Sequence, residues 1–462
     1  MKNQAINSVL ALLAAAALTG CSSGVNSTAG EVFASTGTHS APGTSGTSGG
    51  TGAAAAPATT AVHGDYTPRD IGGTGADSGD MFADVETAAD VAEAGGFVGE
   101  YCEPIIDPID PVCPIEPAEP ISPQPDPQAG LLTGGEWNDN ENWDFWQGLY
   151  SSNNYGVDWD SYRDIWQTGV KSRAAVTVKD GSGAPVPGAK VKGLGYAAVT
   201  DNKGRAYLFF DERGLQGETS EFTVTFGGST QRFTESVDGG CELELTLSDT
   251  AKPAAKSLDL MIMCDTTGSM GDELEYLKAE LEDVVTRIRD GNANVPTRIS
   301  VNFYRDEGDE YVVREYQFTT DLGAAVTAIS EQSADGGGDT PEAVHTALAS
   351  AVSNDWAEDS VKVMFLVLDA PPHDDPQVIA ETVEHIREAA EKGIRIVPVA
   401  ASGVDKSCEY LLRSMAIMTG GTYVFLTDDS GIGGGHIEPT IGSCEVEKLN
   451  DMMVRIVSGY LE

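Results

Sequence analysis

Basic side chains are scarce in this sequence. Lys and Arg number 28 against 72 Asp and Glu, which gives a formal charge of −44 over 462 residues. That balance argues against nucleic acid as a partner, because phosphate binding needs clustered cations. It also opposes anionic membranes as a general surface partner. Histidines number 6, and no His-Glu-x-x-His, Gly-x-Ser-x-Gly, kinase or dinucleotide signature stands in context. The chain therefore reads as a non-enzyme. Beyond the N-terminus no apolar run has the length of a membrane span.

The apolar run that is present, Val9 to Leu18, has signal-peptide proportions and leads into Leu18-Thr19-Gly20-Cys21. This tetrapeptide resembles the bacterial lipoprotein box. The resemblance implies cleavage after residue 20, diacylglyceryl attachment to Cys21, and an exported protein anchored by lipid to the cell envelope, at the outer membrane or cell surface. Of the 7 cysteines, an even number then remains for disulfides in an oxidising compartment. Cys102 and Cys113 flank a Pro-rich stretch and are one candidate pair. Cys408 and Cys444 are another, each expected near the start of a helix at the same edge of a sheet.

Residues 21–130 are rich in Gly, Ser, Thr, Ala and later Pro, without apolar periodicity, and read as a disordered tether. Residues 131–171 crowd Trp137, Trp143, Trp146, Trp159 and Trp166 among Asn, Asp and Gly. So many aromatics favour docking onto the following domain over a solvent-facing platform. Residues 172–250 alternate in short strands broken by Asp180-Gly181-Ser182-Gly183 and Asp201-Asn202-Lys203-Gly204, an all-β pattern. The run around Pro185-Val186-Pro187-Gly188-Ala189 resembles carboxypeptidase-regulatory-like and transthyretin-like sandwiches, which implies a spacer.

Residues 256–462 alternate strands with helices, an α/β pattern that predicts a doubly wound, mostly parallel sheet (Rossmann-like) with its site at the strands' carboxyl ends. Leu258 to Cys264 is a buried-strand run that stops at Asp265, followed by Thr266-Thr267-Gly268-Ser269 and then a helix with Leu274, Leu277, Leu281, Val284 and Ile288 at helical spacing. Asp265, Thr267 and Ser269 thus offer hard oxygen donors from one loop, suited to Mg²⁺, Mn²⁺ or Ca²⁺ rather than zinc. Asp-Thr-Thr-Gly-Ser resembles the metal-ion-dependent adhesion site of von Willebrand factor type A (vWA) domains. Gly336-Gly337-Gly338-Asp339-Thr340-Pro341-Glu342 resembles that family's second metal loop, and Phe365-Leu366-Val367-Leu368-Asp369 its third. The resemblance implies a metal set of Asp265, Thr267, Ser269, Thr340 and Asp369, with Asp339 as an alternative oxygen. It implies Mg²⁺ first, with Ca²⁺ or Mn²⁺ in reserve, and a protein partner whose acidic group completes the coordination. The competing expectation is an envelope scaffold with a degenerate site.

Overall fold

A computed structural model describes residues 66–72, 125–151, 155–210, 218–237, 241–248, 257–338 and 340–462. The first part of the chain supplies β1 (Arg69–Ile71), β2 (Thr133–Trp137), α1 (Trp143–Gly148) and α2 (Trp159–Trp166). Then come β3 (Arg173–Lys179), β4 (Lys190–Gly193), β5 (Tyr196–Val199), β6 (Arg205–Phe209), β7 (Glu218–Phe226), β8 (Ser229–Val237) and β9 (Glu242–Thr246). The C-terminal part begins with β10 (Ser257–Asp265), α3 (Leu274–Gly291), β11 (Thr297–Tyr304), β12 (Val313–Glu315), α4 (Leu322–Ser330) and α5 (Val344–Ser353). It continues through β13 (Ser360–Leu368), α6 (Pro376–Lys392), β14 (Ile394–Ala400), α7 (Lys406–Thr419), β15 (Tyr423–Leu426), β16 (Val446–Lys448) and α8 (Leu449–Leu461).

Among the described residues nine strands form one mixed sheet, in the order β1-β12-β11-β10-β13-β14-β15-β2-β16. Its centre is parallel: β10 pairs with β11 and β13, and β13 with β14. These strands are apolar throughout because both faces are covered. Along β10, Leu258, Leu260 and Ile262 share a core with Leu277, Leu281 and Val284 of α3, Ile329 of α4 and Met453 of α8. Met261 and Met263 belong to the other core, with Leu348 of α5, Ile386 of α6 and Met415 of α7. Period-two side-chain alternation thus feeds two cores from one strand. Two smaller sheets, β6-β3-β9 and β5-β4-β7-β8, lie before this part in the chain. Val176, Val191 and Phe222 from them join the second of the two cores.

Several expectations need correction. The supposed tether contributes structure: Arg69–Ile71 pairs antiparallel with β12, and the Arg69 guanidinium bonds Glu315 at 3.1 Å. The alternating stretch from Tyr311 to Thr319 holds only the short β12, which is interior to the sheet because β1 lies outside it. The aromatic segment does more than dock, since β2 is inserted between β15 and β16. Gly135 makes that close approach feasible: a Cβ there would stand 2.3 Å from the Phe425 ring. Cys408 and Cys444 are free thiols, so the proposed bridge is absent. The physical reason is local. Cys444 was expected near the start of a helix, whereas Val446–Lys448 is an edge strand and the helix begins only at Leu449. Cys102, Cys113 and Cys21, the expected lipid attachment site, lie outside the described residues.

Candidate metal centre

β10 ends at Asp265 and β13 at Leu368, so Asp265 and Asp369 emerge side by side from adjacent parallel strands. Both are buried, Asp265 completely. The turn after β10 is tightened by Asp265 itself. Its Oδ1 accepts from the Thr267 amide at 2.8 Å and from the Thr267 hydroxyl at 2.7 Å. The Thr267 hydroxyl lies 3.2 Å from that of Ser269, which is exposed and also neighbours Asp369. Asp265 Oδ2 and Asp369 Oδ1 are buried with no hydrogen-bond partner. A buried carboxylate oxygen without a partner is costly unless it meets a cation or a proton.

The electrostatics follow. Burial, and then the Asp369 carboxylate, raise Asp265 above the ordinary carboxylate range. Burial raises Asp369 too, with Glu273 and Asp272 adding to it and the Ser269 hydroxyl opposing. Tyr304, buried beside them, is raised by burial and then by the two aspartates.

The second loop closes on the first through its backbone. Gly268 donates to the Gly336 carbonyl at 3.1 Å, and Asp335 to the Thr266 carbonyl at 3.1 Å. The acidic group it brings inward is Glu342, which was not among the expected ligands. A Cβ placed on Gly337 would stand 2.9 Å from Glu342 Oε1 and 3.2 Å from the Thr267 Cβ. Glu342 is buried, its Oε2 is unpartnered, and burial followed by the charges of Asp265, Asp306 and Asp369 pushes it up to about 9. Its place at the end of Gly-Gly-Gly-Asp-Thr-Pro-Glu was the available signal. Thr340 is exposed and, among the described residues, makes no hydrogen bond to the other donors. Asp339 lies outside the described residues. His373, on the rim, contacts Asp306 at 3.0 Å.

The structure thus brings together Asp265, Thr267, Ser269 and Asp369. Among the described residues no group of three or more His, Cys, Asp or Glu side chains is disposed to hold a metal ion. The donor set fits a hard cation nonetheless, because it combines two carboxylates with two hydroxyls and leaves two buried oxygens orphaned.

Parts of the chain are similar to known proteins. An ariadne-like RING finger protein, R811, of Acanthamoeba polyphaga mimivirus is 34% identical over 119 residues, covering 25% of this chain and 11% of that protein. The alpha-protein kinase vwkA of Dictyostelium discoideum is 27% identical over 131 residues, 28% of this chain and 21% of the kinase. The chain therefore spans a small fraction of the curated relatives it matches. Among solved structures, BatB from Bacteroides thetaiotaomicron is 16% identical with a TM-score of 0.32, covering 44% of this chain and 98% of BatB. An aerotolerance-related membrane protein from Bacteroides fragilis NCTC 9343 is 14% identical with a TM-score of 0.29, at the same coverages. The von Willebrand factor A domain family model matches residues 259–431, the stretch that carries all three loops, so the protein contains a vWA domain over those residues.

Proposed function

We propose that this protein is a binding module that recognises an acidic group on a protein partner through a divalent cation, Mg²⁺ first among candidates. The observation that carries the reading is the pair of orphaned buried oxygens, Asp265 Oδ2 and Asp369 Oδ1, beside the hydroxyls of Thr267 and Ser269. A bound cation would offset the carboxylate charge there and supply a Lewis-acidic point for a partner's carboxylate. The chain's own residues do the rest. Thr267 and Ser269 present neutral oxygens, which keeps the site's charge low enough for an acidic ligand. Asp265 holds the loop in register through its two bonds to Thr267. With a formal charge of −44, an acidic partner meets long-range repulsion, so attachment without the cation is disfavoured. Binding rather than catalysis is the role this set supports.

We read the large sheet as doubly wound and the two smaller sheets as a spacer sandwich. The lipid on Cys21 would tether the whole to the envelope. Among the described residues no helix is long and apolar enough to cross a membrane. Cys21→Ala is therefore expected to move the protein from the membrane fraction to the soluble fraction. Retention on membranes after a high-salt wash would remove the lipid anchor from this reading.

The cation site is tested by melting wild type and Asp265→Asn with Mg²⁺ and with EDTA. A Mg²⁺-dependent gain confined to wild type is expected. Equal destabilisation of the variant in both conditions would return the domain to the scaffold role.

A further inference from the structure

β1 lies outside residues 259–431, yet a short run of side chains joins it to the candidate cation loop. The run ends at Thr266, which stands between Asp265 and Thr267 and is completely buried. Every polar group of Thr266 is engaged. Its amide and its hydroxyl both donate to the Tyr304 carbonyl at 3.0 Å, and its carbonyl accepts from the Asp335 amide at 3.1 Å. A hydroxyl has one proton, and here that proton goes to the carbonyl. The Tyr311 hydroxyl, 2.8 Å from Thr266 Oγ1, is therefore the donor of that contact.

Tyr311 is itself completely buried. Two guanidiniums lie against its ring, Arg314 at 3.9 Å and Arg305 at 4.7 Å from the centroid. Arg314 is in turn gripped by Asp70, its cross-strand neighbour on β1. Nε stands 3.1 Å from Oδ1 and Nη2 stands 3.4 Å from Oδ2, a forked ion pair. Glu310, the other acid near Arg314, is exposed and 3.9 Å away. The backbone repeats the connection. Ile71 of β1 accepts from the Val312 amide at 3.0 Å, and Val312 accepts from the Arg305 amide at 3.0 Å. The Arg305 guanidinium then bonds the Ser333 carbonyl at 2.9 Å, ahead of the second loop. Residues 305–314 thus sit between β1 on one side and the two candidate metal loops on the other.

We propose that β1 is a coupling strand for the cation site, with Asp70, Arg314 and Tyr311 as positioning residues. Docking of β1 on β12 sets the Asp265–Ser269 loop through Tyr311 and Thr266. Linkage makes the effect reciprocal, so a cation at the loop tightens the strand by the same factor that the docked strand tightens the cation. The part of the chain that precedes the vWA domain thereby registers whether the site is filled. This inference rests on the cation reading above.

The coupling is measured on the whole chain, by amide hydrogen exchange in saturating Mg²⁺ and in EDTA. The readout is the protection of β1 relative to β16, the opposite edge of the same sheet, which cancels any general stabilisation. In wild type that ratio should rise with Mg²⁺ by at least about fivefold, the lower end of ordinary coupling between sites. Tyr311→Phe removes only the hydroxyl and should abolish the rise. An unchanged ratio in wild type, or a rise that survives in Tyr311→Phe, overturns the coupling. The reciprocal arm uses Asp70→Arg, which sets like charges against each other at a half-exposed position and should undock β1 without unfolding the protein. Its Mn²⁺ dissociation constant should exceed that of Glu447→Arg by at least about fivefold. Glu447→Arg is the matched charge reversal on β16 and accounts for the long-range field. Equal affinities of the two variants overturn the proposal. Mn²⁺ binding by wild type without a response of β1 removes the coupling alone. Absence of Mn²⁺ binding by wild type removes the cation reading and the coupling together.

Discussion

Arg413 of α7 is fully buried, and so is Asp265 at the end of β10, yet their surroundings differ in kind. The Arg413 guanidinium donates to both oxygens of Asp139, at 2.9 and 2.6 Å, to Glu409 at 3.1 Å and to the Thr440 carbonyl at 2.6 Å. The indoles of Trp146 and Trp159 lie 4.9 and 5.1 Å away. Asp139 also accepts from Trp137, and Glu409 from the Thr440 amide. This joint ties the segment before β3 to α7, and its charges answer one another. At Asp265 and Asp369 the charges have the same sign, no salt bridge reaches either among the described residues, and one oxygen of each is unpartnered. A satisfied buried network specifies structure. An unsatisfied one at the carboxyl end of a parallel sheet is where a ligand belongs.

The contrast breaks or sharpens under mutation. Arg413→Ala leaves Asp139 buried without a counter-charge and Glu409 with Lys406 alone at 2.9 Å, and should cost about 3–5 kcal/mol in chemical denaturation. The loss should be the same with Mg²⁺ or EDTA. Asp265→Asn removes one of two repelling charges, so the metal-free variant should melt at or above wild type. What it should lose is the cation's contribution, about 2.7 kcal/mol at a hundredfold excess over the dissociation constant. A variant of Arg413 that responded to Mg²⁺, or one of Asp265 that did not, would erase the distinction.

How much of this is legible in the sequence depends on which physical term dominates each part. β10, β11, β13 and β14 are readable because strands buried on both faces must be apolar at nearly every position. Asp265 and Asp369 are readable for the same reason, as the first polar residues after such runs. β2 is not, since Thr-Gly-Gly-Glu-Trp has neither alternation nor β-branched bulk. Its place is decided by Phe425, whose ring takes the space a side chain at Gly135 would need. β1 is invisible for a related reason: three residues gain their structure from β12, not from themselves. α4 escaped because Leu-Gly-Ala-Ala-Val-Thr-Ala-Ile-Ser carries a weak helical pattern, although Asp321 caps it by accepting from the Ala324 amide. Glu342 escaped because spacing says which loop a residue belongs to, and only packing says which way it turns.

The unanswered carboxylates also set the sign of a pH dependence. Asp265, Asp369 and Glu342 all bind protons more tightly folded than unfolded, chiefly through burial. Between the ordinary carboxylate range and the raised values the folded state then holds more protons, so metal-free stability should fall as pH rises. The decline begins near pH 4, where unfolded carboxylates titrate, and runs to about 9, where Glu342 does. Mg²⁺ should flatten the part due to Asp265 and Asp369. Melting temperatures in EDTA and in Mg²⁺ across that range check it, and parallel curves would mean the cation does not meet these groups.

The smallest effect belongs to a carboxylate of the opposite character. Glu391 on α6 is answered by two cations from β4, Lys190 at 2.9 Å and Lys192 at 3.0 Å, but all three side chains are more than a third exposed. Hydrogen bonds to Lys190 and Lys192 lower its pKa to about 2. Its contribution is thus present above the unfolded value and lost as pH falls from the ordinary glutamate range toward 2, the reverse of the slope at Asp265. Solvent screening limits the size. Glu391→Gln should cost about 0.2–1 kcal/mol, less in high salt, with no dependence on Mg²⁺. Urea denaturation at low and high salt measures it. A cost comparable to that of Arg413→Ala would show that the strand–helix contact between β4 and α6 is held by charge, and that exposure, not partnering, is the wrong axis on which to sort the acids of this protein.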